Sequence, residues 1–247
     1  MTTFADAMSQ AADVDGWMTA DQGRRLFDAA ARCRPGGRIV EIGSFRGRST
    51  IVLAAGAPES VEIVAIDPHA GNDRGPGEIT GFADAAAADR DAFRDNLERA
   101  GVAGRVRHVA AFSVDAHGDV DDPIDVLYID GAHRYGAARV DVDEWGGRVM
   151  DGGTLLIHDA FSSIGVTAAI ARHLAFGSRF RYVGRTRSLV EYRADLAGSG
   201  IGRARNAAAQ LAQLGWFARN VGLKVALTLG YGRLAARLGR PVPEWPY

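Results

Sequence analysis

Two acidic residues and two histidines close a pair of apolar runs, Ile129-Asp130-Gly131-Ala132-His133 and Ile157-His158-Asp159-Ala160. If those runs are neighbouring strands, ~4.8 Å apart, Asp130 and Asp159 meet at the rim of a sheet. Carboxylates that close repel unless a proton or a cation lies between them. Oxygen ligands with room left for water and a substrate hydroxyl suit Mg²⁺. Each Asp could instead cap a following helix. His133 follows Asp130 by three residues, and an imidazole there could take a proton from a hydroxyl, or be a plain surface or capping histidine. His69, His108, His117 and His173 have no comparable neighbours in sequence and default to structural or solvated roles.

Two further groups share this character. Glu41-Ile42-Gly43 opens a turn that continues to Gly47 and then Ser49-Thr50. Glycines let backbone approach a ligand, and the amides of the next helix can receive an anion. The spacing is G-x-x-x-G rather than that of a dinucleotide fingerprint, and a structural tight turn explains it equally well. Asp67 lies 24 residues beyond Gly43. A carboxylate at that strand end can accept hydrogen bonds from both hydroxyls of a ribose, although an Asp before Pro68 also forms turns.

The elements that must carry these residues alternate. Strands are predicted at 38–43, 61–67, 106–111, 124–130 and 153–158, with a closing hairpin of 180–184 and 188–192 around Arg185-Thr186-Arg187. Helices are predicted at 19–32, 49–55, 85–100, 135–148 and 165–176, the first opened by a Thr19/Gln22 capping box. A long loop at 69–80 is a candidate lid. Strand–helix alternation with runs as apolar as Val126-Leu127-Tyr128-Ile129 predicts an α/β fold. It is a seven-stranded, mostly parallel Rossmann-like sheet with an antiparallel last strand and helices on both faces. The chain divides into a helical segment at 1–37, a catalytic domain at 38–195 and a helical appendage at 201–247.

Four segments together, 40–50, 65–69, 126–133 and 152–159, resemble class I S-adenosylmethionine-dependent methyltransferases, within the branch of small Mg²⁺-assisted O-methyltransferases. Gly16-Trp17 and the hairpin extend the similarity to roughly residues 15–195. The resemblance implies that Glu41, Gly43, Ser44 and Gly47 line the methionine end of S-adenosylmethionine, with Ser49 and Thr50 nearby. It implies that Asp67 holds the ribose, that Pro68, Phe112 and Ser113 flank the adenine, and that Asp130 borders the same cofactor. Asp130, His158 and Asp159 are the implied Mg²⁺ ligands, His158 standing where similar enzymes often carry an acidic ligand or an Asn neighbour. His133 is the implied general base. Arg134, Tyr135 and the 69–80 loop are placed to meet the acceptor. That acceptor is a small-molecule hydroxyl, with a sugar or glycolipid precursor favoured because a sugar hydroxyl is a poor acid and needs both metal and base. A nicotinamide-dependent oxidoreductase and an inactive cofactor-binding interaction protein are the rival readings.

Composition narrows the partners. The chain has 247 residues, 29 basic and 30 acidic, and one cysteine, Cys33. Disulfide frameworks and multi-cysteine metal sites are excluded, and wrapping of nucleic acid is disfavoured. The N-terminus lacks a secretion signal, so a cytoplasmic protein is expected. Charge is unevenly spread. From residue 201 onward seven basic residues meet one acidic one, so the net −1 divides into −7 for 1–200 and +6 for the tail. Basic amphipathic helices there either pack on the acidic body or a second subunit in a homo-oligomer, or lie peripherally on an anionic membrane.

Overall fold

The computed structural model describes residues 2–70, 83–176, 179–238 and 241. The loop expected at 69–80 lies outside them from residue 71 on. The strands are β1 (Arg38–Ile42), β2 (Glu62–Ile66), β3 (Val106–Val109), β4 (Ile124–Ile129), β5 (Val149–Ile157), β6 (Phe180–Thr186) and β7 (Leu189–Ala194). They form one sheet in the order β3-β2-β1-β4-β5-β7-β6. β7 alone runs against its neighbours β5 and β6, as the expected reversed last strand.

β4 occupies the centre because every one of its positions is buried. Its alternate side chains divide between the two layers, Leu127 and Ile129 into one core and Val126 and Tyr128 into the other. Apolar residues on both faces are what a strand flanked by strands and covered by two helical layers requires. One layer contains α1 (Phe4–Gln10), α2 (Ala20–Ala31), α3 (Arg48–Gly56) and α4 (Ala83–Arg99). The other contains α5 (Tyr135–Val140) and α6 (Ile164–His173). Asp125, the one acid within β4, is held at its amino end by Arg34 Nε at 2.6 Å and the Arg38 amide at 3.0 Å, so its role is structural.

The capping box forms as expected: the Gln22 amide donates to Thr19 Oγ1, and Gln22 Oε1 receives the Thr19 amide at 2.9 Å. Other boundaries differ from expectation. The helix predicted over 135–148 leaves α-geometry after Val140 and continues as a π-turn, Asp141–Trp145, and a 3₁₀ turn, Gly146–Arg148. β5 starts at Val149 rather than 153, and β6 reaches Thr186, leaving Arg187 and Ser188 as the hairpin turn with Arg187 at φ 52°.

Beyond β7 come α7 (Gly200–Leu211), α8 (Leu214–Thr228) and α9 (Tyr231–Arg237). α7 docks through amides. Asn206 receives the Tyr182 amide at 2.6 Å and donates to the Leu174 and Phe180 carbonyls, and Gln210 receives the Tyr192 hydroxyl at 2.8 Å. α8 is pinned where Asn220 donates to the Phe161 carbonyl and Lys224 to that of Ser162, both at 3.1 Å.

Candidate active site

The register of the parallel strands brings the site together. Ile42 pairs with Ile129 and Ile129 with Ile157, so Gly43, Asp130 and His158 emerge level at one rim. The ladders continue one step further: the Asp130 amide donates to Ile42 and the His158 amide to Ile129. Four non-glycine residues at this edge, Phe45, His69, Asp159 and Phe161, adopt φ between 45° and 54°. Left-handed backbone of this kind costs on the order of 1–2 kcal/mol per residue and gathers where a site dictates the geometry.

At the β1 end, Gly43 has φ 85°, and a Cβ there would lie 2.4 Å from the Asp130 carbonyl oxygen. Only glycine allows the β1 turn to touch the β4 end. Glu41 is fully buried beneath this turn, where it receives the Ser49 hydroxyl and, at 2.5 Å, that of Thr50. Burial pushes its carboxyl up to about 8 despite the two hydroxyl donors. At the β2 end, Asp67 receives the Phe45 amide on one oxygen and the His69 amide on the other, each at 2.8 Å. His69 and His108 pack edge to face behind it, with ring centroids 5.0 Å apart, in structural positions.

At the β4 and β5 ends the carboxylates face imidazoles. His133 Nε2 lies 2.5 Å from Asp159 Oδ2. His158 is buried beneath, with Nδ1 3.2 Å from Asp130 Oδ1 and 3.4 Å from Asp159 Oδ2. The Tyr128 hydroxyl donates to the second Asp130 oxygen at 2.8 Å. Burial draws the His158 imidazole down, but the carboxylates of Asp130 and Asp159 outweigh it and raise the ring to about 10. Its Nε2 lies 3.2 Å from the Gln22 amide nitrogen, a contact that calls for an unprotonated Nε2. The two observations agree on one point, a proton on Nδ1 between the carboxylates. Asp159, although buried, is held well below the usual carboxylate range by hydrogen bonds from His133 and His158.

These ends open into a cavity of about 320 Å³, at the lower bound for small-molecule sites of roughly 300–1,000 Å³. Of the residues expected from sequence, Gly43, Ser44, Ser49, Asp67, Pro68, Phe112, Ser113, Asp130 and His133 line it. Glu41, Gly47, Thr50, His158 and Asp159 do not; Glu41 and Thr50 bond each other under the turn, Gly47 backs onto Phe93, and His158 and Asp159 are buried beside the rim. Ligand atoms of Asp130, His133 and Asp159 lie within 4.8 Å of one another. The two carboxylates, with the His133 imidazole beside them, fit a divalent cation. His158, expected as a ligand, lies buried beneath them with Nδ1 facing both carboxylates.

Sequence reasoning missed three contributors. Asp15–Met18 supply one wall, with the Trp17 ring 5.3 Å from that of Phe45. Asp141, on the π-turn, lines the adenine-side expectation through a 2.5 Å bond from Ser113, and burial lifts its carboxyl to about 6. Gln22 reaches His158 across 136 residues. Only the Gly16-Trp17 pair left a trace in the sequence.

A sheet ordered 3-2-1-4-5-7-6 with strand seven reversed, and a cavity over the carboxyl ends of its central strands, is the class I methyltransferase fold. Residues 40–160 match the family model described as a methyltransferase domain. The match takes in just under half of the chain and sets the nicotinamide reading aside. Among solved structures, cofactor-bound Rv0187 from MTB is 21% identical with a TM-score of 0.53, covering 78% of this chain and 89% of that one. The O-methyltransferase NovP is 17% identical, TM-score 0.56, covering 71% and 80%. An O-methyltransferase from Bacillus cereus in complex with SAH is 16% identical, TM-score 0.53, covering 78% and 90%.

Proposed function

We propose that this chain transfers a methyl group from S-adenosylmethionine to a hydroxyl of a small molecule, a sugar or glycolipid precursor, with Mg²⁺ at Asp130 and Asp159 and with His133 as the base. The observation that carries this reading is a single cavity bounded at one end by Asp67 and at the other by Asp130 and His133. In-line transfer requires donor and acceptor to be held collinear, which two anchored ends of one cavity provide.

Asp67 keeps its oxygens fixed by two backbone amides and presents its remaining lone pairs to the ribose of the methyl donor. Phe112 and Ser113 flank the adenine. His158 positions rather than ligates, since its Nδ1–H holds Asp130 and Asp159 in one orientation. With Nε2–H of His133 donated to Asp159, its Nδ1 is the nitrogen left to accept the acceptor's proton. Asp130 and Asp159 would hold a divalent cation, which would supply polarisation of the acceptor hydroxyl. Sugar hydroxyls need this help more than phenols do. The structures titled as O-methyltransferases support oxygen as the acceptor atom.

The test is a screen of sugars, glycolipid precursors and phenols for release of the demethylated donor, with mass spectrometry of the products and EDTA in parallel. O-methylated product from a sugar-class acceptor that EDTA suppresses is the expected result. Turnover untouched by EDTA overturns the metal assignment, and binding of the donor without turnover on any hydroxyl overturns the enzyme reading.

A further inference from the structure

α7 is built inside out. Its body-facing residues are the buried amides Asn206 and Gln210, whereas Ile201, Ala204, Ala208, Leu211 and Ala212, spaced three or four apart, are exposed on the opposite side. α8 carries apolar residues on both its inner and its outer side. Trp216 and Phe217 pack on the core, and Leu214, Ala218, Val225 and the following Leu229 stand outward. Ile201 is 71% exposed, Val225 52% and Leu229 81%. A helix in water normally turns its apolar stripe toward the protein, so an outward stripe requires a second apolar medium.

Charge identifies that medium. Residues 200–238 contain six basic side chains and no Asp or Glu. Lys224 is used in docking α8. Arg203, Arg205, Arg219, Arg233 and Arg237 are all exposed. A second copy of this face would set arginines against arginines, whereas an anionic lipid surface complements them. No helix among the described residues is long and apolar enough to cross a membrane, which leaves contact in the plane of the surface. α8 is also pinned to the Phe161 and Ser162 carbonyls, two and three residues from Asp159.

We infer that α7 and α8 dock the protein on anionic membranes, apolar stripe inserted and arginines among the headgroups. The surface adjoins the candidate active-site rim, but the inference does not rest on the methyl-transfer reading, and vesicle binding is read without any turnover.

The experiment sediments the full chain with phosphatidylglycerol/phosphatidylcholine vesicles and with phosphatidylcholine alone. Binding to the anionic vesicles only, weakening as salt rises, is expected. The triple variant Leu211→Asp, Val225→Asp and Leu229→Asp changes only exposed side chains and should lower the partition coefficient at least about tenfold, as should Arg205→Glu with Arg219→Glu. Unchanged circular dichroism confirms that both variants fold. Absence of sedimentation with anionic vesicles, equal binding to neutral ones, or indifference to both variants overturns the inference. So does a concentration-dependent dimer, dissolved by the triple variant, in a chain that ignores lipid.

Discussion

At the β1 and β2 ends of the rim, Glu41 and Asp67 are satisfied by hydroxyls and backbone amides; at the β4 and β5 ends, Asp130 and Asp159 are satisfied by imidazoles. The same residue types thus rest on different supports. Amide and hydroxyl donors are part of the turn and stay in place, so the first pair is a fixed cradle. Imidazole donors are side chains with a removable proton, so on the proposed reading the second pair has room for a cation and for proton transfer. On the proposed reading, donor binding and acceptor activation are separable by mutation.

The sharpest break in this comparison is Asp130→Ala, which should reduce metal-dependent turnover by about 100-fold or more while leaving the donor's Kd within a few-fold. Turnover and calorimetric titration of the donor measure the two arms. His133→Gln comes next, with kcat falling by ~10²–10⁴ and again with little change in donor affinity. Asp67→Ala should act in the opposite sense, weakening donor binding by roughly 10- to 100-fold through loss of charge-assisted hydrogen bonds, with a smaller effect on kcat at saturation. Equal losses of donor affinity in Asp67→Ala and Asp130→Ala would merge the two ends into one.

The smallest effect sharpens the cradle. Glu41 has a folded pKa raised to about 8 from an ordinary 4.5, so the folded state holds a proton that the unfolded chain releases. Stability conferred by this group is fully present below about pH 4.5 and declines as pH rises toward 8. Glu41→Gln should remove that decline and keep both hydroxyl contacts, which urea unfolding of the two proteins at pH 5 and pH 8 reads directly.

Much of this was legible in the sequence, because strands announce their own ends. Gly43, Asp67 and Asp130 each follow an apolar run whose burial forces the next residue to the rim, and Asp159 stands one residue further along from its run. What the sequence hid depends on contacts across the fold. Glu41 reads as a cavity residue until its hydroxyl partners are seen beneath the turn. The burial of His158 beneath Asp130 and Asp159 likewise appears only once the strands are assembled. Asp141 reaches the cavity on a π-turn, where one extra residue in the turn leaves no mark in a 3.6-residue pattern. The polar inner face of α7 is opaque for a related reason, since its amides answer carbonyls of β6 and of the residue after α6 rather than any local period.

The capped helix α2 ties the beginning of the chain to its later strands. Gln22 donates to Ser188 at 3.2 Å, Arg25 reaches Thr186 and Glu191, and Arg32 closes on the same Glu191 at 2.6 Å. The cavity wall at Asp15–Met18 leads directly into that helix. During synthesis these residues leave the ribosome early, and their partners follow more than 150 residues later. A nascent chain that has threaded β1 to β5 carries every carboxylate of the rim but only a loosely held wall. The hairpin acts as a closing stitch on the helix that carries the wall.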